Sequence, residues 1–238
     1  MAIDLYTGPL TRYYSGLWEN QLQALCRKRG EEYKIISPEG INQSQDEPSL
    51  TPQKTCEAIK IWMRNLSQSF GCQIKWEEGE NISYHTSQFS EFSEVEALSC
   101  YVWALEENVV DSFPESLDAS KDPIIKNVEK KGQFIFFNAV EFYMPISLPG
   151  SGIFQIELPD DREVICSSTQ KLLEELDQLT KKVWQVPMND LNSISEEEIY
   201  SNFAQKKEPL TLAIFGLCKL YKNALFSQKN NLPIILDY

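Results

Sequence analysis

Apolar residues recur every three or four positions in several stretches of the chain, a spacing that places them on one face of an α-helix. The clearest stretch has Thr51 as the capping residue, Pro52 in the first turn and Gly71 as the terminating glycine. Between them lies one apolar stripe, formed by Cys56, Ile59, Met63, Leu66 and Phe70. The same spacing predicts further helices near 18–30, 93–107, 172–183 and 210–224.

Alternating apolar and polar residues, which are typical of β-strands, lie between these helices. Together with segments rich in phenylalanine and β-branched residues, they predict strands at 2–6, 33–36, 72–76, 133–147, 153–158, 163–166 and 232–236. The triplet Gly150-Ser151-Gly152 is predicted to be a hairpin loop between two of these strands. Residues 37–50 are polar, contain prolines and lack apolar periodicity, so we expect a long surface loop there.

The order of these elements predicts an α+β fold with a single domain over residues 1–238. Several amphipathic helices are expected to pack on one mixed sheet. A hydrophobic content of 42% supports a chain that folds throughout.

Charge changes this picture, because most of the net charge of −13 lies in one acidic segment at 77–118. Between Lys75 and Lys121 there is no lysine or arginine, whereas eleven carboxylates lie between Glu77 and Asp118. The remaining twenty-four acidic residues face twenty-two basic ones, which leaves −2 for the rest of the chain. Such a segment attracts a cationic partner and repels nucleic acid and anionic membrane surfaces.

Aromatic residues interleave with the acidic ones, which is typical of a surface that binds a basic protein. The residues predicted to bind this partner are Glu77, Glu78, Glu80, Glu91, Glu94, Glu106, Glu107 and Trp103. The alternative is that these glutamates only keep a helix face solvated.

A second candidate is a ligand pocket, since an arginine among aromatic rings can bind a carboxylate or stack on a ring. Its residues are Arg12, Tyr13, Tyr14, Trp18 and the only histidine, His85. Simple packing at the corner between a strand and a helix is the alternative for the first four.

No catalytic residue, metal site or cofactor is predicted. His85 sits in a strand-like run, and the chain has neither a Gly-x-Gly-x-x-Gly nor a Walker-type phosphate loop. The six cysteines are scattered singly, so we expect reduced thiols and no zinc site.

The N-terminal residues lack a basic region followed by a long apolar stretch, so we expect a cytoplasmic protein without a cleaved signal peptide. The most apolar stretch, 210–218, is shorter than the roughly 20 residues of a membrane span. We expect no interaction with membranes.

The opening run Asp4-Leu5-Tyr6-Thr7-Gly8-Pro9-Leu10-Thr11-Arg12-Tyr13-Tyr14, with Trp18 after it, resembles the start of a family of uncharacterised cytoplasmic bacterial proteins. Weaker similarities occur at 74–78, 84–86 and 167–176. The resemblance implies no particular activity, and it assigns a role to no residue.

The leading hypothesis is therefore a non-enzymatic acidic protein that binds another protein, for instance an immunity-type protein that neutralises a basic toxin domain. The competing hypothesis is a small-molecule-binding protein or an enzyme with a pocket near Arg12, Tyr14 and His85. The sequence leaves open whether the protein is an enzyme, although the lack of a catalytic motif favours a non-enzymatic protein.

Overall fold

The computed structural model describes residues 3–31, 51–89, 140–148, 150, 152–183 and 209–237. The described strands are β1 (Ile3–Thr7), β2 (His85–Phe89), β3 (Val140–Met144), β4 (Phe154–Glu157), β5 (Glu163–Ser168) and β6 (Ile234–Asp237). The described helices are α1 (Leu10–Tyr14), α2 (Gln21–Arg29), α3 (Pro52–Phe70), α4 (Thr169–Val183) and α5 (Pro209–Asn230). The strand predicted at 33–36, the loop at 37–50 and the helix at 93–107 lie outside the described residues.

All six strands belong to one mixed sheet in the order β2-β1-β6-β3-β5-β4. Strands β3 and β5 run parallel, and the other four neighbouring pairs are antiparallel. The α+β class with a mixed sheet, predicted from the order of elements, is thereby confirmed.

The register of the strands assigns the helices to the two faces of the sheet. Tyr6, Ile235 and Phe142 are aligned across β1, β6 and β3 and share a core cluster with Ile59 and Met63 of α3. The next residue along β1, Thr7, faces the other side and hydrogen-bonds to Asn223 of α5. Helices α4 and α5 also contact each other, so the sheet lies between an α1 and α3 layer and an α4 and α5 layer.

The core on both faces is dominated by large side chains from the central strands. Those that are less than 2% exposed include Tyr6, Phe89, Phe142 and Tyr143. Each such burial contributes about 1.5–3 kcal/mol to folding.

The ends of α3 follow the residues that predicted them. The Thr51 hydroxyl accepts a hydrogen bond from the Lys54 N–H, and Pro52 occupies the first turn. Gly71 ends the helix in the left-handed conformation with φ +64°, which glycine adopts without steric strain. Ile59, Met63 and Leu66 form its buried face, as predicted.

Two sequence predictions differ from the structure. Residues 72–76 alternate in burial as a strand does, but they are not part of the sheet. The N–H of Ile74 instead donates to the Ser67 hydroxyl of α3, at 2.9 Å. The glycines Gly150 and Gly152 do not form a hairpin loop either, because β5 lies between β3 and β4 in the sheet.

None of the helices in the described part of the chain combines the length and the apolar character that a membrane span requires.

Candidate functional site

Tyr6 lies at the centre of a cluster of aromatic rings on the α1 side of the sheet. The ring centroids of Trp18, Tyr13 and Tyr84 lie 5.2, 5.4 and 5.8 Å from that of Tyr6. Tyr13 also stacks on Trp18 at 5.6 Å and meets Tyr14 edge-on at 5.1 Å. These are the separations of favourable aromatic pairs, so the predicted pocket residues Tyr13, Tyr14 and Trp18 pack on one another.

The turn that leads from β1 into this cluster requires glycine at position 8. A Cβ atom on Gly8 would lie 2.5 Å from the Tyr6 hydroxyl and 2.7 Å from the Cβ of Tyr84. The Tyr6 hydroxyl donates to the Pro9 carbonyl at 2.8 Å, across the same turn. The close approach of these groups fixes where α1 begins.

Glu78 binds the start of α1 from a distant part of the chain. Its carboxylate accepts hydrogen bonds from the N–H groups of Leu10 (3.0 Å) and Thr11 (2.7 Å) and from the Trp76 indole (2.6 Å). The N-cap residue, Pro9, provides no side-chain cap, so Glu78 supplies the acceptor that the helix lacks. Burial raises the pKa of Glu78, against the effect of these donors.

Arg12 binds the main chain beyond Glu78. Its Nη1 donates to the carbonyls of Glu80 (2.8 Å) and Ile82 (3.2 Å), and its Nε donates to the carbonyl of Leu17 (2.9 Å). The guanidinium carbon lies 4.4 Å from the centre of the Tyr84 ring, within cation–π distance. The guanidinium therefore attaches residues 80–82 to the region of α1.

We call residues 77–82 the acidic loop. Glu78 points into the protein, whereas Glu77 and Glu80 are exposed. Within the described ranges, no lysine or arginine forms an ion pair with a carboxylate of this loop. The loop is thus held by one inward carboxylate and by Arg12, and it presents two outward carboxylates.

Glu78 was predicted to lie on an outward, partner-binding face, but its side chain points into the protein. Its carboxylate is occupied by three hydrogen bonds within the chain. The other predicted partner-binding residues, Glu91, Glu94, Trp103, Glu106 and Glu107, lie outside the described residues.

Arg162 is the centre of a second charged group, beside Tyr13 and Tyr14. Its guanidinium lies 2.7 Å from a carboxylate oxygen of Asp160 and 3.9 Å from one of Asp237, and it donates to the Tyr13 hydroxyl at 3.4 Å. Burial, followed by the nearby Asp237, raises the pKa of Tyr13 to about 12, so its phenol is protonated at neutral pH. Through these contacts Arg162 connects the turn between β4 and β5 to α1 and β6.

His85 lies on the opposite side of the sheet from Arg12. It pairs with Thr7 in the register, its ring centroid is 5.7 Å from that of Phe226 on α5, and its Nε2 is 3.5 Å from the Ser87 hydroxyl. The structure brings Arg12, Tyr13, Tyr14 and Trp18 together, but it does not bring His85 to them.

Two of the described cysteines, Cys166 and Cys218, are buried. Burial raises the pKa of Cys166 to about 12 and that of Cys218 to about 11, so both thiols stay protonated. The cysteines described are all free, and the described part of the chain contains no group of three or more residues arranged to hold a metal ion.

Two features of this region were missed from the sequence. The first is the inward position of Glu78. It follows the buried residues Ile74 and Trp76 at the same two-residue spacing, so the alternation itself indicated that its side chain points inward. The second feature is the negative charge of the exposed hairpin between β4 and β5, which carries carboxylates at Glu157, Asp160, Asp161 and Glu163. Only a local count of charges, taken outside the acidic segment at 77–118, would have found it.

Comparisons with protein-family models, with curated proteins and with solved structures find no significant match to this chain. The resemblance of its first residues to a bacterial family stays a prediction.

Proposed function

We propose that this chain is a non-enzymatic acidic protein that binds a basic protein partner. In its more specific form, the proposal is an immunity-type bacterial protein that neutralises a basic toxin domain. The observation that carries it is the acidic loop, in which Glu77 and Glu80 are exposed and no described cation pairs with them.

The position of this loop in the sequence supports the proposal. It opens the segment from Glu77 to Asp118, in which eleven carboxylates occur without a single lysine or arginine. A local field of one sign raises the association rate of an oppositely charged partner by about 10- to 1000-fold. The benefit falls with added salt, because the Debye length is only about 8 Å at physiological ionic strength.

The way in which the loop is held supports the proposal further. Arg12 binds the main-chain carbonyl of Glu80, so the carboxylate of Glu80 stays exposed. Glu78 attaches the loop to the start of α1 through the N–H of Thr11. A loop that is already ordered in the free protein loses little conformational entropy on binding. It can therefore use its charge for affinity as well as for the rate of association.

The arrangement gives less support to the competing hypothesis of a small-molecule pocket. Arg12 donates its hydrogen bonds to main-chain carbonyls of its own chain, and the neighbouring rings contact one another. His85 packs against Phe226 on the other side of the sheet.

The test is a pull-down of bacterial lysate on the immobilised protein at about 50 mM and about 500 mM salt, between which the Debye length falls from above roughly 10 Å to near 4 Å. Three proteins are compared: the wild type, the loop variant Glu77→Lys/Glu80→Lys, and the control variant Glu31→Lys/Glu57→Lys. Both variants change the net charge equally, and all four positions are exposed.

We expect the wild type and the control to retain one basic protein at low salt only, and the loop variant to lose it. Equal retention by all three proteins, or no basic protein at any salt concentration, would contradict the proposal.

The immunity-type form has a separate readout. The recovered partner, expressed alone, should inhibit bacterial growth, and coexpression with the wild-type chain should restore growth. A partner that leaves growth unchanged would restrict the proposal to protein binding in general.

A further inference from the structure

Among the described strands, β2 and β4 lie at the two edges of the sheet, and these edges differ in how their outward main-chain groups are used. At the β2 edge, the carbonyl of Thr86 accepts a hydrogen bond from Gln21 at 3.4 Å. The carbonyl of Gln88 accepts one from Lys219 at 2.6 Å. Side chains of α2 and α5 thereby occupy the acceptors of this edge strand, which is one way in which proteins prevent strand pairing with other chains.

At the β4 edge, the register identifies the groups that point outward. The Leu158 N–H donates to the Arg162 carbonyl, and Ile156 pairs with Val164. Since hydrogen-bonded pairs alternate along an antiparallel ladder, the N–H and C=O groups of Gln155 and Glu157 point away from β5.

Only one of these outward groups has a partner in the described part of the chain. The Trp62 indole donates to the Glu157 carbonyl at 2.7 Å. The N–H and C=O of Gln155 and the N–H of Glu157 are the donors and the acceptor that a further strand would use.

The side chains along this edge define what such a strand should carry. On the face away from α3, Glu157 and Glu163 lie opposite each other and are exposed, next to the exposed Gln155. On the α3 face, Phe154 packs on Phe70 with a centroid distance of 4.8 Å. A strand with basic residues on one face and apolar residues on the other matches this edge.

The sign of the charge also decides between a partner and a second copy of this chain. Residues 157–163 contain four carboxylates and one arginine, a local net charge of −3, and Arg162 is already paired with Asp160. Pairing two β4 edges would place two such hairpins side by side, which like-charge repulsion opposes.

We propose that the β4 edge binds an extended segment of the partner, with alternating basic and apolar residues, as an additional antiparallel strand. Main-chain hydrogen bonds would supply the affinity, and the carboxylates on one face would select for lysine or arginine. The inference rests on the proposed function only for the basic character of the partner, and it involves other residues than those of the acidic loop.

The experiment uses the full chain and a short, end-blocked synthetic peptide of alternating lysine and valine. Binding is followed by NMR shifts and hydrogen exchange of the Gln155 and Glu157 amides. Both amides should shift and become protected from exchange. In an antiparallel peptide whose lysines lie on the carboxylate side, the lysine amides face β4. N-methylation of these amides should therefore weaken binding at least about tenfold. N-methylation of the valine amides, which point away from β4, should have little effect.

A matched pair of protein variants tests the same contact from the other side. Gln155→Pro removes the outward N–H and leaves the pairing with β5 intact, as proline does on edge strands. Gln155→Thr retains the N–H and serves as the control. We expect Gln155→Pro to lose peptide binding and Gln155→Thr to retain it. If Gln155→Pro does not fold, the methylated peptides test the same contact with the wild-type protein.

Three results would overturn the inference. One is binding that is unaffected by lysine N-methylation, since the peptide would then be held by charge alone. Another is the absence of any change at the Gln155 and Glu157 amides at millimolar peptide. The third is a dimer of the free chain in sedimentation analysis that Gln155→Pro dissociates, since two β4 edges would then pair with each other. None of them affects the result expected for Glu77→Lys/Glu80→Lys in the pull-down, so the two proposals fail separately.

Discussion

The two sides of the sheet use their polar side chains in different ways. On the α1 side, Glu78 and Arg12 bind main-chain groups of distant segments, and charged side chains of the acidic loop remain exposed. On the α5 side, Thr7, Asn223 and Ser87 bind one another and are fully buried. The first arrangement orders a surface, whereas the second fixes the position of a helix on the sheet. Substitutions on the α5 side should therefore change stability alone, whereas those that release the acidic loop on the α1 side should also weaken binding.

The largest effect on stability is expected for Asn223→Ala. Asn223 accepts a hydrogen bond from Thr7 at 2.7 Å and donates to Ser87 at 2.9 Å, so its loss leaves two buried hydroxyls without this partner. Each such group costs about 1–3 kcal/mol, and we expect the free energy of unfolding to fall by about 2–4 kcal/mol. Urea denaturation measures this change, and Asn230→Ala, on the exposed end of the same helix, is the control.

Partner binding by folded Asn223→Ala should equal that of the wild type. A loss of binding without a loss of stability would contradict the division between the two sides.

The second effect is expected for Glu78→Gln, which places an amide nitrogen among three N–H donors. We expect a loss of about 2 kcal/mol in the free energy of unfolding at neutral pH, together with weaker partner binding because the acidic loop loses its anchor. Glu80→Gln makes the same charge change at an exposed position and should cost less than about 0.5 kcal/mol.

The same pair of variants reports the titration of Glu78. Because the folded-state pKa is raised above the ordinary value of 4.5, stability from this group is fully present below that value and is lost as the pH rises through the folded pKa. The difference in stability between the wild type and Glu78→Gln should thus widen as the pH is lowered from neutral towards 4.5. A difference that narrows would mean that the hydrogen bonds outweigh burial and that the pKa is lowered.

A smaller effect on stability, about 1 kcal/mol, is expected for Arg12→Gln, which removes donors to three partly exposed carbonyls. Its effect on binding separates geometry from charge. The substitution makes the protein more acidic, so charge alone would strengthen the binding of a basic partner, whereas a disordered acidic loop would weaken it. We expect weaker binding by calorimetry.

Arg27→Gln is the matched control for this change. Arg27 forms an exposed ion pair with Glu19 at 3.0 Å, with 67% of its side chain accessible. The substitution Arg27→Gln should leave both the free energy of unfolding and partner binding almost unchanged. Stronger binding by Arg12→Gln than by the wild type would contradict an ordering role for Arg12.

The fold was largely predictable where local signals determine the structure. The capping residues Thr51, Pro52 and Gly71 determine the ends of α3, and Gly30, the last residue of the helix predicted near 18–30, ends α2 in the left-handed conformation. The short strand near the end of the chain was also predicted, and it lies between β1 and β3 as β6. The position of β6 in the sheet depends on contacts between distant residues, which periodicity does not contain.

The candidate site was less predictable, because it depends on contacts between segments. The pairing of Arg12 with the main chain at Glu80 and Ile82 spans about seventy positions, and no local pattern encodes it. The alternation at Ile74 and Trp76 was visible, but it was interpreted as a strand, since alternation predicts which residues are buried and not which strand pairs with which. The same alternation placed Glu78 inside the protein.

The smallest effect on stability is expected for Glu77→Lys/Glu80→Lys, within about 0.5 kcal/mol, because both side chains are exposed. The same variant should have the largest effect on binding, which makes it the most direct test of the account.

The measurement is the association rate constant with the recovered basic partner as a function of ionic strength, for the wild type, this variant and Glu31→Lys/Glu57→Lys. We predict a steep decrease with salt for the wild type and the control, and a rate for the loop variant that is at least about tenfold lower at low salt and nearly independent of salt. Equal rates and equal salt dependence for the two variants would contradict the account, because net charge, and not the acidic loop, would then attract the partner.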